Sequence, residues 1–271
     1  MAVAATATPT DLGELLRRWR RLRGKSQLDL ALDARTTQRH LSFVETGRSQ
    51  PSRPMVVRLA RALDVPLRER NELLLAAGYA PLYAAPPVDG PERDRARLAL
   101  GSMLGQHEPF PAVVMDRGWN VVEANAGAAR LFGGLLAPEP MPEPANVLEL
   151  MIAPGRVRDA VRNWPEVVAG LFERCRREAV GGMVDAETAE RLERLRARQD
   201  VTAVLDDTAG VAPSAPVIDV AFALDGTELR FFSVVSTIGV PSEVTAQELR
   251  VEAFFPSDEA TREAWLTGVE D

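Results

Sequence analysis

The strongest constraint on this chain lies in the stretch SQLDLALDARTTQRHLSFVETG, Ser26 to Gly47. Leu30, Ala31 and Ala34 follow helical spacing up to a polar break at Arg35, Thr36 and Thr37, after which Leu41 and Val44 resume it. Ser26 and Thr37 stand where helix N-caps belong, and Gly47 stands where a helix stops. Two helices separated by only about three residues must fold back on one another at a steep angle, the helix-turn-helix arrangement.

The flanking sequence supplies what such a pair packs against. Leu12, Leu15, Leu16, Trp19 and Leu22 form an apolar stripe, with Arg17, Arg18, Arg20, Arg21 and Arg23 largely elsewhere, and Gly24 ends that helix. Pro54 opens a fourth helix bearing Val56, Val57, Leu59, Ala60 and Leu63; Pro66 opens a fifth bearing Leu73 and Leu74. Five short helices without a strand pattern predict an all-α domain over residues 1–78. Charge marks this part off. Residues 1–80 carry 14 Lys+Arg against 8 Asp+Glu, about +6, whereas the remainder carries 18 against 31, about −13. A basic front and an acidic rear imply different partners.

In a helix-turn-helix the second helix of the pair enters the major groove of double-stranded DNA. Its front must then carry side chains that read base edges. Gln38 can pair with an adenine through two contacts, and Arg39 can do the same for a guanine or bind a phosphate instead. Thr37, Gln27 and the amides at the helix starts suit phosphates, which position without reading sequence. His40, Ser42 and Arg48 complete the candidate DNA-binding set, with His40 facing sideways. Such domains bind as dimers on half-sites about one helical turn apart, so a homodimer on a near-palindromic operator is expected.

Residues 12–77 resemble the lambda repressor/Cro-type (XRE) helix-turn-helix family. The resemblance rests on Ser26–Gln27, Ala31, the Thr37 cap and Glu45-Thr46-Gly47. It implies that Arg20, in the first helix, pairs with Glu45 at the end of the third. One departure is Arg35, at the turn position usually held by glycine, where a left-handed conformation costs an arginine free energy.

Residues 79–92, with four prolines among small residues, read as a linker, and residues 93–271 as a second domain. A helix is expected from Pro91. Two strands follow in PAVVMDRGWNVVEAN, joined at Asp116-Arg117-Gly118 with glycine supplying any positive φ. Asn125 caps the next helix, and residues 146–205 are mostly helical, broken at Pro154–Gly155 and at Pro165. Three strands close the domain, over 216–224, 228–238 and 248–255, the first two turning at Asp225–Gly226. In the last, Leu249, Val251, Ala253 and Phe255 are expected on a buried face, with Arg250, Glu252 and Phe254 on a mostly wet one. The expected class is α+β with a five-stranded antiparallel sheet.

That order resembles a PAS-type sensor domain. The segments 107–125, 161–164, 229–239 and 248–261 are similar to the MmyB-like ligand-binding domain found behind XRE-type helix-turn-helix regions. The resemblance implies an apolar cavity between sheet and helices, with a fatty acid or similar apolar molecule as occupant. Val114, Met115, Leu131, Phe132, Phe222, Phe231 and Phe232 are candidates for its wall, or equally for ordinary core. Asn163 and Trp164 are candidate polar anchors, although capping and packing explain them too. Arg158, Arg162 and His107 could receive a carboxylate.

Other functions find little support. The two histidines, His40 and His107, fall in different domains, no Cys/His cluster has metal-ligand spacing, and neither a nucleophile elbow nor a phosphate-binding loop occurs. No enzymatic activity and no cofactor are expected. Cys175 is the single cysteine, so no internal disulfide forms and a reducing compartment fits. With no secretory signal and no membrane span, a cytoplasmic protein is expected. The Arg191–Gln199 stretch reads as a solvated helix. Two readings stay open for the rear domain: a sensor of an apolar ligand, or a module for dimerisation or partner recruitment alone.

Overall fold

The computed structural model describes residues 11–83, 91–181, 186–208, 219–238 and 244–270. Most of the stretch read as a linker, residues 84–90, lies outside them. The chain divides into two units, the first ending at Val88 and also taking in Val240–Gln247.

The first unit is built from α1 (Leu12–Leu22), α2 (Gln27–Asp33), α3 (Gln38–Glu45), α4 (Arg53–Ala62) and α5 (Leu67–Ala76). Local chemistry sets each boundary. Ser26 and Asp29 form a reciprocal capping box on α2, and Thr37 Oγ1 accepts from the His40 amide to start α3. Pro54 lies in the first turn of α4. Leu16, Trp19, Leu30, Leu41, Leu59, Leu63 and Leu73 are buried together as the spacing required. Arg35 takes the left-handed conformation, φ 52°, so the α2–α3 turn keeps the geometry a glycine would give it. The Thr36 amide then reaches Ala31 O at 2.8 Å, closing α2. Gly13 permits the close crossing of α1 and α3: a Cβ there would lie 2.3 Å from Glu45 O. The segment Val244–Gln247 contributes in its turn. Val244 is buried, and Gln247 Oε1 accepts from the Leu67 amide at 2.6 Å, capping α5, where Pro66 brings no side-chain cap.

The second unit has the chain order α6 (Pro91–Gln106), β1 (Ala112–Met115), β2 (Val121–Ala124), α7 (Ala126–Leu136), α8 (Val147–Ile152), α9 (Arg156–Ala160), α10 (Trp164–Gly181), α11 (Ala186–Arg196), α12 (Gln199–Asp207), β3 (Asp219–Leu224), β4 (Thr227–Thr237), β5 (Arg250–Pro256) and α14 (Glu259–Glu270); α13 (Val244–Glu248), between β4 and β5 in the chain, falls in the first unit but for its last residue. The five strands form one antiparallel sheet in the order β2-β1-β5-β4-β3. Asn125 caps α7 and is buried; its Oδ1 also accepts from the Ala112 amide at 2.9 Å, while Nδ2 donates to Phe110 O at 2.8 Å. One side chain thereby fixes α7 against β1.

The sheet is covered on both faces. Val113, Met115, Phe222, Phe231 and Phe254 join Leu131, Phe132, Leu148, Ile152 and Val168 in the main core. Ala112, Val114 and Val251 pack with Leu100 and Leu104 of α6 on the other face. The expectation of a mostly wet face on β5 therefore fails: Glu252 and Phe254 are buried along with Val251. Alternation was read correctly, but α6 accounts for the second burial and hides the distinction between the faces. Two smaller differences have local causes. At the β1–β2 turn the positive φ falls on Trp119, at 65°, and not on Gly118. Asp116 Oδ1 accepts from the Gly118 and Asn120 amides at 2.8 and 2.9 Å, and this side-chain clamp shapes the turn. Pro165 sits in the first turn of α10, where its missing amide costs nothing, so it does not break the helix. The Asp225–Gly226 turn forms as expected, with φ of 48° and 79°.

Candidate DNA-reading surface and ligand site

In the first unit, the opening turn of α3 is presented to solvent. Thr37, Gln38, Arg39 and Arg48 are exposed, while His40 and Ser42 are half-buried. The Arg39 guanidinium rests over the Phe43 ring, 5.4 Å from its centroid, which holds the charge against the helix surface. The far end of α3 is locked. Arg20 Nε donates to Glu45 Oε1 at 2.7 Å and Nη2 to Oε2 at 3.0 Å, and Gln27 Nε2 donates to Glu45 Oε2 at 2.8 Å. The side-chain bond to Glu45 raises the Arg20 pKa above its ordinary value, against the opposing effect of burial. One carboxylate thus ties α1, α2 and α3 together. Gln27, expected at a phosphate, spends one amide hydrogen on this tie and keeps its second N–H for other use. At the start of α2, Asp29 takes the amide position that an outside anion would occupy. Its carboxyl is held below 3.8, first by the Ser26 hydroxyl and then by the Ser26 amide.

In the second unit, the expected cavity-wall residues separate. Met115, Leu131, Phe132, Phe222 and Phe231 lie together in the main core, and Trp164 packs against it. Val114 lies on the α6 face with Leu100 and Leu104. Phe232 is stacked on Phe255 at a centroid distance of 5.4 Å, away from Phe231. Neighbours in one strand point to opposite faces, so Val114 cannot share a wall with Met115, nor Phe232 with Phe231.

The expected polar anchors have structural partners. Asn163 bridges to β3, donating to Asp219 O at 2.7 Å and accepting from the Ala221 amide at 2.9 Å. Trp164 Nε1 donates to Met151 O at 3.0 Å. Arg158 pairs with Asp200 at 2.6 Å and lies 3.9 Å from the Trp164 ring centroid. Arg162 is exposed, and His107 Nε2 lies 2.7 Å from Phe254 O. None of the three places a cation in the main core.

A different polar cluster stands where the sheet meets α10. Trp119, buried, has two guanidiniums against its ring, those of Arg174 at 4.4 Å and Arg250 at 4.8 Å from the centroid. Arg174 Nη1 donates to Glu252 Oε1 at 2.8 Å, and Ser233 Oγ donates to the same oxygen at 2.6 Å. Glu252 is 5% exposed, and its second oxygen, also buried, meets no hydrogen-bond donor among the described residues. Sequence spacing could not reveal this set, since its members come from a turn, a helix and two strands. A charged residue inside a strand whose neighbours are apolar was the only local sign. Among the described residues, no group of three or more His, Cys, Asp and Glu could hold a metal ion, and no helix is long and apolar enough to cross a membrane.

Comparison with known proteins agrees with this division. Residues 11–73 match the helix-turn-helix domain model, and residues 96–266 match that of the MmyB-like transcription regulator ligand binding domain. No curated protein matches the chain. Among solved structures, one described as an RNA-binding light-oxygen-voltage receptor is similar at 11% identity and a TM-score of 0.28. That likeness covers 96% of this chain and 63% of the other, and at such a score it supports no argument. The family match is broad and agrees with the observed elements: the chain belongs to the MmyB-like transcription regulators, joining a DNA-binding helix-turn-helix domain to a ligand-binding domain.

Proposed function

We propose that this protein binds a near-palindromic DNA operator as a homodimer and adjusts that binding when its second domain takes up an apolar small molecule. The opening turn of α3 carries the reading: Gln38 and Arg39 are exposed on a helix whose other end is fixed by Glu45. A side chain reads a base edge only if its backbone is held in place, and that lock supplies the rigidity. Gln38 is assigned to base reading and Arg39 to a base or a phosphate. Thr37, Ser42, Arg48 and the remaining N–H of Gln27 are assigned to positioning on the backbone. His40 is assigned to the edge of the interface.

For the second domain, the antiparallel strand order β2-β1-β5-β4-β3, with the main helical layer on one face and α6 on the other, supports a PAS-like reading. Met115, Leu131, Phe132, Phe222 and Trp164 are assigned to the apolar wall. The resemblance in sequence favours a fatty-chain ligand. For a sensor, ligand and DNA must each alter the other's affinity, typically by about 1–3 kcal/mol.

The direct test is to denature the purified protein in organic solvent and analyse the released material by mass spectrometry. A stoichiometric amphiphile supports the sensor. Release of nothing, together with operator affinity unmoved by a lipid extract, would leave the domain a role in dimerisation or recruitment only.

A further inference from the structure

The outward face of α3 carries an aromatic ring that the core of the first unit does not use. Resting on the DNA-binding reading above, we propose that Phe43 is a specificity residue. Its ring receives the methyl group of a thymine and holds Arg39 in place to read a guanine one or two base pairs away.

Three observations carry this. First, the ring points away from the core. Leu41, Val44 and Glu45 hold the buried side of α3, and Arg39 and Phe43 each stand two residues from Leu41, about 200° round the helix axis. Phe43 is accordingly only half-buried and Arg39 is exposed. Second, the two side chains act as one unit. Four residues apart, they meet on the helix surface, with the guanidinium 5.4 Å from the ring centroid. Third, the backbone beneath the ring is held. The Arg48 and Ser49 amides donate to Phe43 O at 2.8 and 3.2 Å, and Glu45, two residues on, is fixed by Arg20 and Gln27.

Chemistry then assigns each side chain its base. A phosphate asks of an arginine only charge and reach. A guanine edge asks for a planar fork in one orientation, and an aromatic face beneath the guanidinium supplies it. Among the four bases thymine alone puts a methyl group in the major groove, and an apolar ring on the outward face of the helix suits it. Wet in the free protein, that ring is driven to leave water when the methyl group covers it. Centres 5.4 Å apart span one to two base-pair steps of about 3.4 Å, which sets the spacing of the two bases.

The test uses the full chain and an operator selected from random duplexes, with affinity read by fluorescence anisotropy at one salt concentration. Each thymine is replaced in turn by deoxyuridine, which lacks only the methyl group, and each guanine by 7-deazaguanine, which lacks the N7 acceptor. One thymine per half-site should lose about fourfold in affinity, the worth of one buried methyl group. A guanine one or two base pairs from it should lose about tenfold. Phe43→Ala should erase the uridine effect and shrink the deazaguanine effect. Phe43→Leu, which guards against loss of the fold, keeps apolar surface but no ring. It should retain the uridine effect and still shrink the other. Arg39→Ala should erase the deazaguanine effect alone. No thymine sensitive to loss of its methyl group, or a uridine effect that persists in Phe43→Ala, overturns the role of Phe43. So do losses in Phe43→Leu that are equal on every duplex. An Arg39→Ala loss equal on every duplex, with a shallower salt dependence, puts Arg39 on a phosphate and overturns the pairing. A selection that yields no preferred duplex removes the DNA-reading account itself, and this inference with it.

Discussion

Arg20 on α1 holds Glu45, the last residue of α3, through two charge-assisted hydrogen bonds of 2.7 and 3.0 Å, with the carboxylate almost wholly buried. Gln27 adds a third bond to that carboxylate from α2. Removing one member leaves a buried charge without its counter-ion, which is costlier than never having built the pair. Arg20→Ala is therefore expected to destabilise the helix-turn-helix unit by about 3 kcal/mol. Urea unfolding of the full chain, followed by helical circular dichroism, measures it. A loss under about 1 kcal/mol would show that the pair behaves as an exposed one.

The opening turn of α3 makes a different kind of prediction. Gln38→Ala should cost about 1–3 kcal/mol on an operator selected from random duplexes, and much less on unrelated DNA of the same length. Stability should hardly change, since Gln38 is exposed. Equal losses on both duplexes, measured by fluorescence anisotropy at fixed salt, would make Gln38 a positioning residue.

How much of this was legible beforehand differs between the two units. In the first, the caps Ser26 and Thr37 and the Arg20–Glu45 pair were readable, because each depends on neighbours a few residues away or on a recurrent motif, whereas Arg35 marked a possible change in the turn that the structure does not make. In the second, the strands and the turn at Asp225 were readable, but which face held the main core was not. Both faces of β5 are covered, so apolar alternation lost its meaning there. Val114 and Met115, like Phe231 and Phe232, are neighbours in one strand, and the two-residue repeat alone puts them on opposite faces. The Trp119, Arg174, Ser233, Glu252 cluster was out of reach, since only the fold brings those residues together.

Asn125 concentrates several roles in one buried amide. It caps α7, accepts from Ala112 and donates to Phe110. Asn125→Ala should cost about 2–3 kcal/mol, combining a lost cap with orphaned backbone groups in β1. Asn125→Asp, which keeps the cap but not the donor, should lose less. Thermal unfolding of the two variants separates these contributions.

The Arg158–Asp200 pair gives a pH signature. Burial pushes the Asp200 carboxyl upward, but bonds from Arg158, Arg198 and the Val201 amide override it and hold the value at about 2, below 3.8. The stabilisation it brings is thus complete above pH 3.8 and disappears as pH falls through about 2. Asp200→Asn should be less stable than the unmodified protein at neutral pH, by a gap that narrows on acidification through that window. A gap independent of pH in urea unfolding would mean that shape, and not charge, makes the contact.

The central claim is that occupancy of the second domain changes the grip of the first on DNA. Its most direct measurement is the dissociation constant of the lipid-stripped protein for its selected operator, with and without a saturating amount of the amphiphile released from the purified protein, at one salt concentration. The account predicts a change of about 5- to 150-fold in either direction, matched by the same factor when that amphiphile is titrated with operator present. Tight binding of the amphiphile with an unchanged operator affinity would contradict it.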